Sequence, residues 1–237
     1  MTAPTSPRSR LLALVERNRA LQQAQDADSR FDAQLKVLQA WQCERLLRTH
    51  ADLANDARYG PGVRFFVEDL YAPKDFTARD TDIERALPAM VRLLPDRVLD
   101  TAADAAGLYV LTRELDAAMV HALFDVQGAA TVDVGSYAEA YRICDAYDRR
   151  RQQIDVIASL AERLEQLVRS RLIYTTLRMT RAPAQLAGLG ALQDFLERGF
   201  SAFHHMGGSA DFVRTIGTRE RKILDRIFAN HPEPMAI

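Results

Sequence analysis

The sequence predicts an all-α fold, an irregular bundle of about eight helices with one long helix in its second half. Three observations carry that expectation. Apolar side chains recur at spacings of three and four almost from end to end, the period of a helix with one face turned inward. Strand signals are nearly absent, since Leu108–Leu111 and Thr131–Val134 are too short and isolated to build a sheet. Proline and glycine mark most of the gaps between the periodic stretches.

Leu11, Leu12, Leu14, Val15 and Leu21 define a first helix after Pro7. Asp26 to Ser29 break it, and Ser29 is a natural N-cap for a second helix carrying Phe31, Leu35, Leu38, Trp41, Leu46, Leu47 and Leu53. Tyr59-Gly60-Pro61-Gly62 is a firm break, and Pro61 suits the first turn of a short helix ending near Tyr71. After a loop from Ala72 to Arg79, Thr81 and Glu84 have capping-box spacing. Pro88 should kink that helix or bound it, and Pro95 should end it. Further helices are expected over Asp96–Ala106 and from Thr112 to about Gln127. Residues 128–135 read as a linker, and Ser136 with Glu139 as a second capping box. From Tyr137 to about Arg181 no proline or glycine occurs, so this is the long helix; Arg150 and Arg171 interrupt its apolar stripe. Pro183 ends it. Leu189 to Phe203 form another helix, Met206-Gly207-Gly208-Ser209 a turn, and Phe212 to Phe228 the last helix. The expectation is a single helical domain over 1–237, with a subdivision into 1–127 and 136–230 allowed by the linker, and 231–237 as a frayed tail.

The charge balance excludes some functions. Lys plus Arg is 31 and Asp plus Glu is 32, a formal net charge of -1, without the cationic surplus that nucleic-acid binding uses. Arg149-Arg150-Arg151 is the best basic run, and acids accompany it. Cys43 and Cys144 are far apart and belong to no CxxC pair, so no disulfide framework is indicated. The apolar run near the N-terminus stops at Glu16 and Arg17, too short for a signal-peptide core. Nothing approaches the ~20 apolar residues of a membrane span. A cytoplasmic protein with no membrane and no nucleic-acid partner is expected.

Motifs that carry chemistry are scarce. Leu47, Ala118, Ser201, Ala202 and Phe228 stand three positions before the five histidines, so the Glu-x-x-His of di-iron bundles is missing. Asp80, Asp82 and Glu84 are the nearest thing to a metal cluster, and helix capping uses such residues better. No metal and no cofactor is expected. His204 and His205 precede the Gly207-Gly208 turn and Ser209, where free backbone N–H groups could hold an anion. The plainer reading ends one helix at the glycines and starts the next at Ser209.

Phe65-Phe66-Val67-Glu68-Asp69-Leu70-Tyr71 is the most informative segment. On a helix, Val63, Phe66, Val67, Leu70 and Tyr71 share one arc, while Phe65 falls between Glu68 and Asp69. Either a second helix covers that face and arginines such as Arg64, Arg79 or Arg85 pair the acids, or Phe65 is a surface anchor for a partner. The segment resembles the defining stretch of a bacterial family named for an FFLEELY motif, with Val67 for Leu and Asp69 for Glu. Lys74-Asp75-Phe76, Arg79-Asp80, Leu87 to Pro95, Leu189 to Leu196 and Met206-Gly207-Gly208 fit the same resemblance. It implies an all-helical protein and transfers no catalytic residue.

The leading expectation is a non-enzymatic module acting through a protein partner or as a homodimer. The alternative is an enzyme or ligand-binding protein with a pocket between helices near FFVEDLY. Phe65, Glu68, Asp69, Asp75, Arg79 and Asp80 are the first residues to suspect in either case, and no residue is singled out as catalytic.

Overall fold

The computed structural model describes residues 6–74 and 76–236. The fold is all-α, with twelve helices and no strand among the described residues. The count exceeds eight because two of the expected helices are cut, at His50, Asp145 and Ser170, by corners that carry neither proline nor glycine.

α1 (Pro7–Asp26) opens on a reciprocal cap: the Ser6 hydroxyl accepts from the Ser9 N–H, and the Ser9 hydroxyl accepts from the Ser6 N–H. α2 (Phe31–Thr49) is capped one residue later than expected; Ser29 lies in the turn and Arg30 takes the cap position without a side-chain bond. α2 stops at His50, and the last turn expected of it is a separate helix, α3 (Ala51–Asn55). α4 (Gly60–Phe65) has Pro61 in its first turn and runs on into a wide, π-helical turn from Phe66 to Tyr71.

α5 (Thr77–Leu93) begins four residues before Thr81, which is an interior, exposed position rather than a cap, and Pro88 is accommodated inside the helix. α6 (Asp96–Val120) absorbs both helices expected on either side of residue 107. Thr112 does not start a helix; its hydroxyl accepts from Gln153 Nε2. A second wide turn, His121–Val126, ends this rod. α7 (Val134–Cys144) is capped by Asp133, whose carboxylate accepts from the Ser136 N–H while the Ser136 hydroxyl accepts from the Asp133 N–H. The box is therefore one turn earlier than Ser136–Glu139, and Glu139 pairs with Arg142 instead.

The expected helix from 137 to 181 is cut twice. Asp145 turns left-handed at φ 45, a conformation that short polar side chains tolerate. Ser170 then caps the next start. Between them α8 (Tyr147–Val168) is the longest helix of the second half, at 22 residues. α9 (Arg171–Met179) and α10 (Arg181–Leu186) follow, with Pro183 in the first turn of α10. α11 (Gly190–Met206) ends at Gly207, φ 64, and α12 (Ala210–Phe228) completes the chain.

α6 is the hub, packing against α1, α2, α7 and α8. Ion pairs give the directions. Arg10 reaches Asp100 and Asp104, and Arg17 reaches Glu114, so α1 runs parallel to α6. Arg149 pairs with Glu114 and Arg163 with Asp100, so α8 runs antiparallel to it. Arg221 pairs with Asp155, and Ser209 bonds Glu165, so α12 is antiparallel to α8. Contacts of α6 with α8 and of α2 with α12 cross the 128–135 segment. Two apolar clusters fill the middle of the bundle. One joins Leu53, Val63, Phe65, Ala161, Phe203 and Phe212; the other joins Leu38, Met119, Leu123, Tyr137 and Ala140. No helix among the described residues is long and apolar enough to cross a membrane.

Candidate functional site

A cavity of about 130 Å³ lies between those two clusters, walled by α2, α4 with its wide turn, α7, α8 and α12. Apolar residues dominate its surface: Val63, Phe66, Val67, Ile154, Ile157, Val213, Ile216 and Leu224. Gln42, Arg45, His50, Tyr71, Tyr141, Arg150, Gln153 and Glu220 supply polar groups.

Gln42, Arg45 and Glu220 lie on the core faces of their helices, and His50 caps the end of α2. Leu38, Gln42 and Arg45 are spaced four and three on α2, and Ile216, Glu220, Ile223 and Ile227 do the same on α12. The register that buries the leucines and isoleucines therefore buries these polar groups too. Arg45 donates through Nη1 to both oxygens of Glu220, at 2.5 and 2.6 Å, and His50 Nε2 lies 2.9 Å from Glu220 Oε1. Burial alone would raise the Glu220 carboxyl; Arg45 and His50 outweigh it and bring it down to about 2. Burial also opposes the Arg45 charge, and Glu220 more than restores it, so that the guanidinium holds its proton above its ordinary value.

Arg150 is held differently. It is 7% exposed, makes no ion pair within 4 Å among the described residues, and donates to the neutral Gln153 Oε1 at 3.2 Å and the Leu115 carbonyl at 3.4 Å. Its guanidinium lies 4.5 Å from the Tyr141 ring centroid. Tyr137 donates to the Tyr141 hydroxyl at 3.1 Å. Burial raises the Tyr71 and Tyr141 hydroxyls, so both stay protonated as donors. Behind them, Asp116 accepts from Gln42 Nε2 at 3.2 Å. Its carboxyl is raised by burial, against the smaller opposing pull of Arg150 and Gln42. Gln42 Oε1, Arg45 Nε and His50 Nδ1 are buried with no hydrogen-bond partner among the described residues. Leaving such buried groups unmade costs free energy, and three of them lie on residues that line this one cavity.

The residues suspected from sequence lie elsewhere. Phe65 is not a surface anchor: it is 9% exposed, packed against Phe195 and against Gly199, where an added Cβ would come within 2.8 Å of the ring. α11 covers this face, which a helix read in isolation cannot reveal. Asp69 accepts from Arg198, and its carbonyl from Arg79. Glu68 is exposed. Arg79 sits among the rings of Phe76, Tyr109 and Phe195 and donates to Asp80, which also accepts from Tyr109. This is a clasp between α5, α6 and α11, outside the cavity. Asp75 lies outside the described residues. Asp80, Asp82 and Glu84 diverge; Asp82 accepts from the Leu192 N–H in the first turn of α11. No group of three metal-ligating side chains occurs among the described residues.

The anion site suspected at the 207–209 turn is filled by the chain itself. Glu165 accepts from the Ser209 N–H and hydroxyl, both at 2.7 Å. Ser209 thus reaches across to α8 and makes no side-chain cap on its own helix. His204 stacks beside Phe200 and Tyr174, and His205 bonds the Ala57 carbonyl.

A family model described as Domain of unknown function (DUF8198) matches residues 20–234. The chain belongs to that family. No curated protein and no solved structure matches it. The DUF8198 match takes in every helix that walls the cavity.

Sequence reasoning reached the FFVEDLY wall of the site and missed Gln42, Arg45, His50, Gln153 and Glu220. One signal was available: Arg150 interrupts the apolar stripe of its helix. A charge in core register reads as a flaw in a coiled-coil seam, and here it is a cavity group.

Proposed function

We propose that this DUF8198 protein is a small-molecule-binding helical protein whose ligand enters the cavity beside the FFVEDLY segment. One observation carries the reading: an apolar cavity with a few convergent polar groups, several left without partners by the protein, is the usual form of a ligand site. Arg79, Asp80 and Asp69 act here as the clasp that holds the segment in place. The same segment carries the resemblance to the FFLEELY-motif proteins, so that motif would mark a ligand wall rather than a docking surface. A thermal-shift screen of small organic molecules tests this, with Ala158→Phe as the filled-cavity control. Hits should raise the melting temperature of the native chain and not of the variant. Equal shifts in both proteins, or no shift with any compound, would refute it.

A second reading, a partner-binding module or homodimer, draws on α9 and α10. Their side chains include none that is buried, and Leu172, Met179 and Leu186 are 75%, 73% and 90% exposed, a concentration of apolar surface unlike the rest of the chain. Sedimentation of the native chain and of Met179→Glu/Leu186→Glu checks it; a monomer in both cases would dismiss self-association.

A further inference from the structure

The cavity reading leaves the chemical class of the ligand open, and the placement of charge narrows it. Arg45 is neutralised inside the protein, since Glu220 takes two hydrogen bonds from it and a third from His50. Arg150 has no such counterpart among the described residues. Its carbonyl and amide acceptors are neutral and distant, although a guanidinium offers five donors and suits a planar, two-oxygen acceptor. Around it are hydroxyl donors with protons to spare. Among the described residues the Tyr71 hydroxyl has no hydrogen-bond partner, and Tyr141 accepts from Tyr137 while its own proton finds no acceptor. The Asp116 carboxyl makes no ion pair with Arg150 within 4 Å and accepts from Gln42 instead. A buried cation costs several kcal/mol unless an anion answers it. The remaining wall is aliphatic and aromatic, and about 130 Å³ is close to the ~150 Å³ engineered cavity that holds a benzene ring in another protein.

Resting on the small-molecule reading above, we infer that the ligand is a small organic carboxylate, with its two oxygens on Arg150 and the Tyr71 and Tyr141 hydroxyls and its apolar body against Phe66, Ile157 and Ile216. The head takes hydrogen bonds that Arg150 and the two hydroxyls do not make within the protein. The body takes the apolar wall of α8 and α12. A phosphate would bring more negative charge than the single unanswered guanidinium balances, and a cation would meet Arg150 directly.

The test compares matched probes on the full chain: benzoate and pentanoate against benzamide and pentanamide, with toluene as the apolar reference, followed by amide chemical-shift titration at pH 7. The carboxylates should bind at least tenfold more tightly than their amides. Arg150→Met should erase that preference. Tyr71→Phe, which keeps the ring, should weaken carboxylate binding severalfold and leave toluene unchanged, and it decides the matter if Arg150→Met does not fold. Amides and toluene binding as well as the carboxylates would overturn the carboxylate class and leave the cavity reading standing. If no probe binds, both readings fall.

Discussion

Glu220→Gln should be among the most damaging single substitutions in this protein. Glu220 holds two neighbours on α2 and at its end, Arg45 and His50, whose side chains are only 9% and 4% exposed. A glutamine fits the space but removes the charge, leaving the Arg45 guanidinium buried without an anion. Removing one partner of a buried pair costs about 3–5 kcal/mol, against a total stability of about 5–15 kcal/mol for a typical domain. The double variant Arg45→Met/Glu220→Met removes both charges and replaces them with adaptable apolar side chains. Its cost should be well below the sum of the two single changes, because the single variants each strand a charge and the double does not. Urea unfolding followed by helical circular dichroism measures all three, with an unchanged slope confirming that the same transition is compared. A cost below about 1 kcal/mol for Glu220→Gln, or strict additivity in the double variant, would show that the triad is solvated and that its burial is not what sets its behaviour.

The same carboxyl predicts a pH dependence. Its folded pKa of about 2 lies below the ordinary 4.5, so it contributes on the order of 3 kcal/mol that is complete above about pH 5 and lost as pH falls toward 2; the stability gap between the native chain and Glu220→Gln should close over that window in urea melts. Asp116 works the other way, being raised by burial, so Asp116→Asn should leave stability at pH 7 unchanged or increased. Gly199→Ala should destabilise by about 1–3 kcal/mol through the Phe65 ring, less about 1 kcal/mol regained from helix propensity. Gly62→Ala meets the flexible end of the Met206 side chain and should lower the melting temperature less. Phe65→Ala should cost about 3–5 kcal/mol; a surface anchor would leave the melting temperature where it was.

The helical period was legible almost throughout because it is a local property, repeated every few residues. The corners at Asp145 and Ser170 were not, because a left-handed aspartate and a serine cap use residues that also occur inside helices. The merging of two expected helices into α6 was hidden for the converse reason: Thr112 has a capping side chain, and only α8 shows that its hydroxyl is engaged by Gln153. The candidate site was legible on one wall. Phe66, Val67 and Tyr71 come from a segment unusual enough to draw notice. Arg45, His50 and Glu220 are ordinary polar residues whose meaning depends on a neighbour about 170 positions away. Phe65 was ambiguous by itself, since a phenylalanine between two acids looks the same whether or not α11 covers it.

The wide turn at Phe66–Tyr71 has a consequence for how this segment tolerates change in length. Regular winding advances each residue by about 100°, whereas a π-helical turn accommodates one residue in excess. With all six residues present, rewinding to ordinary pitch would turn Tyr71 away from the cavity by about a quarter-turn. Deleting one residue between Phe66 and Leu70 would remove that surplus and let the segment relax to ordinary pitch with Tyr71 turned by only about 10°, whereas an insertion would carry Tyr71 about 100° around the axis, so insertions here should be far more harmful than deletions.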